Sequence, residues 1–504
     1  MYREAFINRL LYLLNLFAMS VFLLFFCYDL FLILFSWECI GLFSLLLVNF
    51  YSHRIYTIKA TLKTFILSRF SDLFLFIFFV LTLFIYQTTD LSLIFIQTPF
   101  LLFHYLFIGS IAFHFLTVYT LTLVLSGVIK SAQFFAHVWL PDAMEAPTPA
   151  SALIHSSTLV IAGVFLILRF SLIFEFTPYT NYFLAVLGSM TLGFGSLVAL
   201  FQTDIKKLVA FSTISQIGYL VCGCGFLCYE EVLIYLIIHA LNKAFLFIGV
   251  GYLVHFFLGN TDLRQMGSAN FFSFGLSVLV FGVSLNLCGL PYSAGFIGKE
   301  FLVFQFFQDT NLSYFIRACW LLSFFCTPLY MGLLVIGSLF GSKKSYFLTY
   351  NDYFISARVN LSTSINFIYD QFTFLTGLVS LSILSLFWFL IFWGGEYFML
   401  LTFNYVTLSN LIWSNLFITQ STYFNFDLTL YSYTLQLNFE WFLYFMIIIS
   451  IYTLIYFKSN SLYSYTSYLY LIEIILILFL FLQWWVIAIF AVFILGLWNE
   501  SELN

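Results

Sequence analysis

The sequence predicts an all-α polytopic membrane protein, and three observations carry this prediction. Of the 504 residues, 63% are hydrophobic and only 8% are charged, whereas soluble domains carry about a quarter charged residues. Apolar runs follow one another almost without interruption, which excludes a porin-type barrel, because its strands alternate polar and apolar residues. The formal net charge of −4 excludes a nucleic-acid-binding protein, which would need a basic face.

Fifteen apolar segments are separated by polar breaks, and a helix of about 20 such residues crosses the hydrocarbon core of a bilayer. One or two segments are expected to merge or break, which gives about fourteen transmembrane helices. The segments lie approximately at 10–28, 30–50, 62–86, 108–136, 150–174, 181–202, 208–228, 232–257, 271–290, 292–308, 314–340, 372–394, 398–420, 437–457 and 468–498.

Ionisable residues inside these segments are the first candidate functional groups. A charge at the bilayer centre costs about 2.5–3.5 kcal/mol on insertion scales, so each one needs a partner, water or a function. Six residues qualify, namely Glu38, Arg69, Asp72, Lys130, Lys243 and Lys299. Arg69 and Asp72 are three residues apart, and His239 and Lys243 are four apart, so each pair shares a helix face. Desolvated lysines beside carboxylates and histidines are suited to a proton relay.

A structural role for these charges stays open at this point. Glu38 and Arg69 would be ordinary interfacial residues if they lay near the ends of their spans. Lys299 would be a neutralised pair with Glu300 if it lay near a helix end. Lys130 and Lys243 are harder to explain in this way, because long apolar stretches surround them.

Two proline- and glycine-containing stretches predict broken helices. The first, KSAQFFAHVWLPDAMEAPTPASALIHSS at 130–157, contains three prolines, which interrupt a straight helix. The second, CGLPYSAGFIGKE at 288–300, contains Pro291 just before Lys299. Broken helices with polar ends line ion pathways in transporters. Two such breaks, each beside a lysine, indicate an internal repeat.

The sequence shows no signal for a bound cofactor or metal. Cys222, Cys224 and Cys228 form a C-x-C-x₃-C pattern in an apolar run, without a fourth ligand nearby. This pattern favours ordinary buried thiols over an iron–sulfur or metal site. A glycine-rich phosphate loop of the nucleotide-binding kind is also missing from the sequence.

The stretch from Lys130 to Arg169 resembles the core of the antiporter-like subunits of respiratory complex I and of the related multi-subunit cation/proton antiporters. The motifs SWECIG, QTDIKKLVAFSTISQIGYL, HALNKAFLFIGVGYLVH and LPYSAGFIGKE resemble the subunit 5 branch of this family. The resemblance covers about residues 5–340. It implies antiporter-like inverted repeats, a proton-translocating core at 1–340 that lacks about three N-terminal helices of the relatives, and C-terminal transmembrane helices at 341–504.

The resemblance also implies roles for individual residues. Glu38 is expected to pair with Lys130, and Lys243 is expected to be the central lysine of the axis. The expected relay consists of Glu38, Lys130, His155, His239, Lys243 and Lys299, with Arg69 and Asp72 as a modulating pair and Asp142 and Glu145 as structural or gating residues. The chain departs from the family pattern at Cys39 and Ile40, where Gly and Val are usual, and at Tyr235, where many relatives have His.

The implied function is that of a proton-translocating membrane-arm subunit of NADH:ubiquinone reductase, in the mitochondrial inner membrane rather than a bacterial one. Flavin and iron–sulfur clusters are expected in partner subunits and no cofactor in this chain. The expected partners are other membrane-arm subunits, including neighbouring antiporter-like subunits, the lipid bilayer, and a separate chain that supplies the missing N-terminal helices. Two alternatives stay open: the large subunit of a cation/proton antiporter, and a non-conducting structural relic of the same fold.

Overall fold

The computed structural model describes residues 6–108, 111–156, 158–257, 259–267, 274–289, 293, 295–296, 298–299, 302 and 314–340. The predicted C-terminal helices at 341–504 lie outside the described residues, as does most of the predicted segment 292–308. The helices are α1 (Ile7–Phe26), α2 (Leu30–Val48), α3 (Ile55–Ile85), α4 (Leu91–Gln97), α5 (Phe115–Lys130), α6 (Trp139–Asp142), α7 (Thr148–Ser156), α8 (Leu159–Arg169), α9 (Ser171–Phe174), α10 (Pro178–Leu200), α11 (Ile205–Gly225), α12 (Tyr229–Phe256), α13 (Phe274–Cys288) and α14 (Tyr314–Val335).

Eight helical segments among the described residues are long and apolar enough to cross a membrane, α7 and α8 counting as one segment. Two shorter apolar helices, α5 and α13, end at Lys130 and Cys288, where the sequence predicts the two breaks. The described residues therefore confirm a helical, multi-pass membrane protein. The count of about fourteen helices stays a prediction, because it includes segments in 341–504.

A short β-hairpin is present beside the predicted helices. Strand β1 (Tyr105–Ile108) pairs antiparallel with strand β2 (Ile111–His114), and Tyr105 lies opposite His114. The predicted apolar span at 108–136 is wrong at both ends, because α5 begins only at Phe115 and ends at Lys130. The segment 105–114 is rich in aromatic and β-branched residues, which favour strands over helices.

A pair of aspartates joins helix ends in the same way at two places. Asp29 caps α2 and forms a backbone bridge with Asp90, and Asp204 precedes α11 and forms one with Asp262. In both cases a long helix, α3 or α12, lies between the two aspartates. The helix pair α2–α3 and the helix pair α11–α12 are thus each flanked by two bridged aspartates, while the internal repeat stays a prediction.

Glycines allow the helices around the predicted lysine sites to approach closely. A Cβ atom on Gly163 of α8 would lie 2.4 Å from the carbonyl oxygen of Gly127 on α5 and 3.1 Å from Ser131. A Cβ atom on Gly188 of α10 would lie 2.4 Å from the backbone of Cys222 on α11. Small residues at such crossings are typical of packing between membrane helices. The α5–α8 crossing fixes the end of α5, where Lys130 lies.

The Gly163→Ala variant is expected to destabilise the chain by about 1–3 kcal/mol, because the added methyl group overlaps backbone atoms that have no room to move. The midpoint of thermal unfolding of the purified protein in detergent measures this effect. Gly332→Ala in α14 is the matched control, since a Cβ atom there meets nothing within 4 Å. Equal melting temperatures for the two variants would contradict the close crossing of α5 and α8.

Candidate functional site

Lys130 lies at the end of α5 and is buried, with 2% of its surface exposed. Its Nζ atom is 3.4 Å from Asp72 Oδ1 on α3 and donates a hydrogen bond of 2.7 Å to the carbonyl oxygen of Trp37 on α2. It also lies 4.1 Å from the centroid of the Trp37 ring. A carboxylate, a carbonyl oxygen and an aromatic face therefore surround one buried ammonium group.

Asp72 is shared between two cations. Its second oxygen lies 3.3 Å from the Arg69 guanidinium, one turn earlier on α3, so the predicted local pair is formed. Both ion pairs are longer than charge-assisted hydrogen bonds, which measure about 2.7–2.9 Å. One carboxylate therefore faces two cations at similar distances.

A chain of neutral hydrogen bonds fixes the helices around this triad. The Trp37 indole donates to Ser71 on α3 over 3.2 Å, and Ser71 donates to the carbonyl of Ser126 on α5 over 3.1 Å. Gly41 leaves space over the ion pair, since a Cβ atom there would be 3.8 Å from Lys130 Nζ and 3.9 Å from Asp72 Oδ2. The backbones are therefore held, while the charged side chains keep room beside them.

The structure does not form the expected contact between Glu38 and Lys130. Glu38 lies on the exposed side of α2, and within the described part of the chain Lys130 forms its ion pair with Asp72 instead. Successive residues of a helix point about 100° apart, and the buried face of α2 includes Trp37 rather than Glu38. Glu38 still attracts Lys130 electrostatically, but more weakly than Asp72 does.

The first break is a strained loop that a buried glutamine stabilises. Ala132 and Phe135 have positive φ angles of 54° and 72°, a region that non-glycine residues rarely adopt. Between them, the amide oxygen of Gln133 accepts a hydrogen bond of 2.7 Å from Thr191 on α10. The break therefore ends α5 directly after Lys130 and is joined to α10 by this hydrogen bond.

His137 lies in the same connection, between the rings of Phe134 and Phe194, whose centroids are 6.3 Å and 4.7 Å from its own. Partial burial lowers the pKa of His137 below its usual value. The imidazole is therefore neutral at neutral pH and adds no charge to the break.

Asp142 and Glu145 lie after the break and are only partly buried. Asp142 forms an ion pair of 2.6 Å with Lys63 on α3, and their side chains are 33% and 54% exposed. Glu145 attracts Lys206 at the start of α11. Both residues thus lie apart from the Lys130 triad, and their suggested gating role stays a prediction.

His155 on α7 is fully buried between two aromatic rings. Its centroid is 6.4 Å from that of Trp139, beside Lys130, and 5.7 Å from that of Phe247, one turn beyond Lys243 on α12. Neither of its ring nitrogens has a hydrogen-bond partner among the described residues. The imidazole is therefore placed between the two predicted lysine sites, with its donor and acceptor unused by described protein groups.

Lys243 is fully buried near the middle of α12 and donates a hydrogen bond of 2.6 Å to the Ser212 hydroxyl on α11. His239, one turn earlier on α12, is also fully buried, and within the described part its ring nitrogens have no partner. The Lys243 ammonium repels a positive charge on His239. The shared face predicted for these two residues is therefore present in the core.

Polar groups continue from Lys243 along three helices, at spacings of three and four residues. Gln216 accepts a hydrogen bond from the Tyr235 hydroxyl and donates to the Tyr330 hydroxyl at 3.2 Å. The hydroxyls of Tyr219 and Ser323 are 2.6 Å apart. We call this set the polar seam; its members are Ser212, Gln216 and Tyr219 on α11, Tyr235, His239 and Lys243 on α12, and Ser323, Thr327 and Tyr330 on α14.

Lys299 lies at the far end of the polar seam and is fully buried. Its Nζ atom donates to Thr327 over 3.1 Å and lies 5.4 Å from the centroid of the Tyr219 ring. A separate pair of amides approaches the second break: Asn286 donates to Asn242 over 2.7 Å and accepts from the Gly295 backbone over 2.6 Å. The structure thus places both Lys243 and Lys299 along the polar seam. Lys130 lies apart from the seam, on the other side of His155.

Arg169 is a buried cation that the sequence reasoning missed, because it lies at the end of an apolar span. Its guanidinium donates to the carbonyl oxygens of Phe25, over 2.9 Å, and of Cys27 at the end of α1. It also lies 4.5 Å from the centroid of the Tyr28 ring. These contacts satisfy carbonyl groups that α1 leaves unpaired at its end, which indicates a structural role.

The fold and the site together define a multi-pass membrane protein with several cations buried in its helical core. Residues 27–326 match the family described as "NADH:quinone oxidoreductase/Mrp antiporter, TM". The chain therefore belongs to this transmembrane family, which contains complex I subunit 5 and Mrp antiporter subunits.

Three similar curated proteins are described as NADH-ubiquinone oxidoreductase chain 5. The protein of Nyctotherus ovalis is 42% identical over 68% of this chain, that of Paramecium tetraurelia 40% over 68%, and that of Chondrus crispus 39% over 60%. The matches cover 19%, 60% and 46% of these three relatives, respectively, so the chain spans less than two thirds of their length.

A solved structure of the Mrp complex from Dietzia sp. DQ12-45-1b contains a similar chain. The likeness has a TM-score of 0.57 at 21% identity and covers 92% of this chain and 51% of the other. At this identity the comparison shows a shared fold and nothing further.

Unequal effects are expected when the two partners of the buried ion pair are removed. Asp72→Asn leaves both Lys130 and Arg69 without their carboxylate and is expected to cost about 3–5 kcal/mol, as for other broken buried pairs. Lys130→Met leaves Asp72 paired with Arg69, so the loss is smaller. Thermal unfolding of each variant, monitored by size-exclusion chromatography, measures both stability losses. A larger loss for Lys130→Met would contradict the shared carboxylate.

Proposed function

We propose that this chain is a proton-translocating, antiporter-like subunit of a complex I-type NADH:ubiquinone oxidoreductase. The observation that carries the proposal is the series of buried ionisable groups formed by Lys130, His155, Lys243 and Lys299, in which the three lysines have polar partners from other helices. Membership of the family and the shared description of the relatives support the same function.

The first step of the proposed mechanism is a competition for Asp72. While Asp72 lies beside Lys130, it favours the charged form of the lysine. When Asp72 pairs with Arg69 alone, Lys130 is left in a desolvated site that favours its neutral form. A proton is then released towards His155. Glu38, whose expected pairing is not formed, adds a weaker attraction to the same site.

The onward path runs from His155 to the polar seam. Because both ring nitrogens of His155 and of His239 lack a partner among the described residues, each imidazole can accept and pass a proton. Hydroxyl groups of the polar seam contact both lysines, Ser212 at Lys243 and Thr327 at Lys299. Tyr235 is a hydrogen-bonding member of this path and not a charged one, since a phenol titrates well above neutral pH.

The repeated aspartate bridges support antiporter-like inverted repeats. In this proposal the first group crosses the membrane as α1, α2, α3, α5 and the α7–α8 segment, and the second group begins at α10. The first group thus makes five crossings, an odd number, so the second group begins on the opposite side and is inverted relative to the first. The two broken helices hold equivalent places in this scheme.

The distribution of basic residues indicates the orientation. Four crossings separate the start of α3 from the start of α11, so both helix ends lie on one side of the membrane. That side carries Arg54 directly before α3, Lys59 and Lys63 on α3, and Lys206 and Lys207 on α11. The opposite side carries the acidic residues Glu175, Glu230 and Glu231. By the positive-inside rule the basic side faces the compartment of insertion, here the mitochondrial matrix.

Partner subunits are part of the proposal. The energy for pumping would come from electron transfer to ubiquinone in subunits that hold flavin and iron–sulfur clusters, because the transmembrane family to which the chain belongs carries no cofactor itself. Neighbouring antiporter-like subunits would continue the proton path in the mitochondrial inner membrane. Among the described residues, no group of three or more side chains could hold a metal ion.

A cation/proton antiporter subunit is the second candidate, because the fold is shared with the Mrp complex. Purification of the native assembly distinguishes the two: flavin and iron–sulfur subunits that co-purify with the chain support the complex I assignment. A non-conducting relic of the fold is the third candidate, and it predicts normal proton stoichiometry whichever lysine is removed.

Lys243→Ala in the assembled complex is expected to lower the number of protons pumped per electron pair, because the replacement interrupts the polar seam at its start. Proton uptake and NADH oxidation measured together in inverted membrane vesicles give this ratio. Lys207→Ala, a partly exposed lysine at the start of α11, is the control. An unchanged ratio in the Lys243→Ala complex would contradict the proposed path.

A further inference from the structure

A cavity of about 20 Å³ lies directly beside Lys130, between α2, α3 and the first break. Its lining includes Lys130, Trp139, Ala143 and the hydroxyl-bearing Ser44, Thr64 and Ser68. A cavity needs about 10–15 Å³ and two or more polar partners to hold a water molecule. The space therefore fits roughly one water.

The hydroxyl groups of the cavity are oriented to bind such a water. Ser44, Thr64 and Ser68 each donate a hydrogen bond to a carbonyl oxygen of their own helix, at 2.8, 2.9 and 2.9 Å. Each hydroxyl oxygen can then accept a hydrogen bond from a water or from the lysine. The cavity is thus a mostly apolar space with three hydroxyl oxygens that can accept, next to a buried ammonium group.

The Lys63–Asp142 ion pair joins the two walls of this cavity. Lys63 precedes Thr64 on the α3 wall, and Asp142 precedes Ala143 on the wall formed by the first break. Both side chains are partly exposed, so the pair lies at the surface of the described part of the chain, next to the cavity. The distance of 2.6 Å between Nζ and Oδ2 holds the walls together at this point.

We propose that the cavity is the water site through which Lys130 takes up its proton, and that the Lys63–Asp142 pair is the latch that closes its mouth. This inference rests on the proposed function and adds the inlet, on the basic side of the membrane. An exposed ion pair contributes only about 0–1 kcal/mol. Such a pair opens readily, which suits a latch and would not suit a permanent structural clamp.

A thiol at position 44 reports whether the cavity is open. Ser44 is buried, with 8% of its surface exposed, and the closed cavity admits nothing much larger than water. We therefore expect the Ser44→Cys variant, in a Cys39→Ser background, to react slowly with a trimethylammonium-ethyl methanethiosulfonate reagent. The assembled complex is contained in vesicles, and the reagent is applied to the side of the membrane that carries the basic residues at the starts of α3 and α11. Mass spectrometry with fragment-ion sequencing follows the labelling at position 44 itself. The fragment ions distinguish the introduced thiol from the chain's other cysteines.

Breaking the latch is expected to speed this labelling. Lys63→Gln and Asp142→Asn should each increase the rate about fivefold, the factor that corresponds to about 1 kcal/mol. The double exchange Lys63→Asp with Asp142→Lys should restore the slow rate, because it rebuilds the pair in reverse. A blue native gel confirms that each variant is assembled.

Lys207→Gln is the matched control, because it breaks another partly exposed lysine–aspartate pair, with Asp204, that does not touch the cavity. An unchanged labelling rate in Lys63→Gln, or an equal increase in Lys207→Gln, would overturn the latch. Labelling requires no electron transfer. A negative labelling result would therefore contradict the latch alone, whereas an unchanged proton stoichiometry in Lys243→Ala would contradict the proposed function.

Discussion

The constraint on which this structure depends is the burial of cations in a membrane core. Lys130, Lys243 and Lys299 each have 2% or less of their surface exposed, so bulk water does not solvate their charge. Each therefore needs polar groups from other helices: Asp72 and the Trp37 carbonyl for Lys130, Ser212 for Lys243, and Thr327 for Lys299. The packing of the helices and the position of the breaks serve to bring these partners together.

Lys130 has a carboxylate in contact, and that carboxylate is divided between two cations. A fully neutralised pair would be more stable but would hold its proton more firmly. The strained backbone at Ala132 and Phe135 is a second case in which local stability is reduced next to the site. The close glycine crossing of α5 and α8 and the hydrogen-bond chain from Trp37 to Ser126 compensate by fixing the surrounding backbone.

Much of this arrangement could be predicted from the sequence, and the reasons for the failures are physical. Lys130 and Lys243 were identified because a charge in an apolar run is costly wherever the helix packs. Their partners were harder to predict, since contact depends on the rotation of each helix: Trp37 faces the core and Glu38, about 100° away, does not.

The polar seam was missed because single serines and glutamines in a span are common, and only their spacing of three and four on three helices distinguishes them. The hairpin at 105–114 was missed because hydropathy does not separate an apolar strand from an apolar helix.

The most direct test of the central claim is a structure of the native assembly by electron cryomicroscopy, at a resolution that shows ordered water. Our account predicts Lys130 beside Asp72, a water next to Lys130 in the Ser44–Thr64–Ser68 cavity, and waters on the ring nitrogens of His155 and His239 that connect Lys130 with Lys243. Aliphatic side chains packed without water between His155 and Lys243 would contradict it, and would favour a structural relic of the fold.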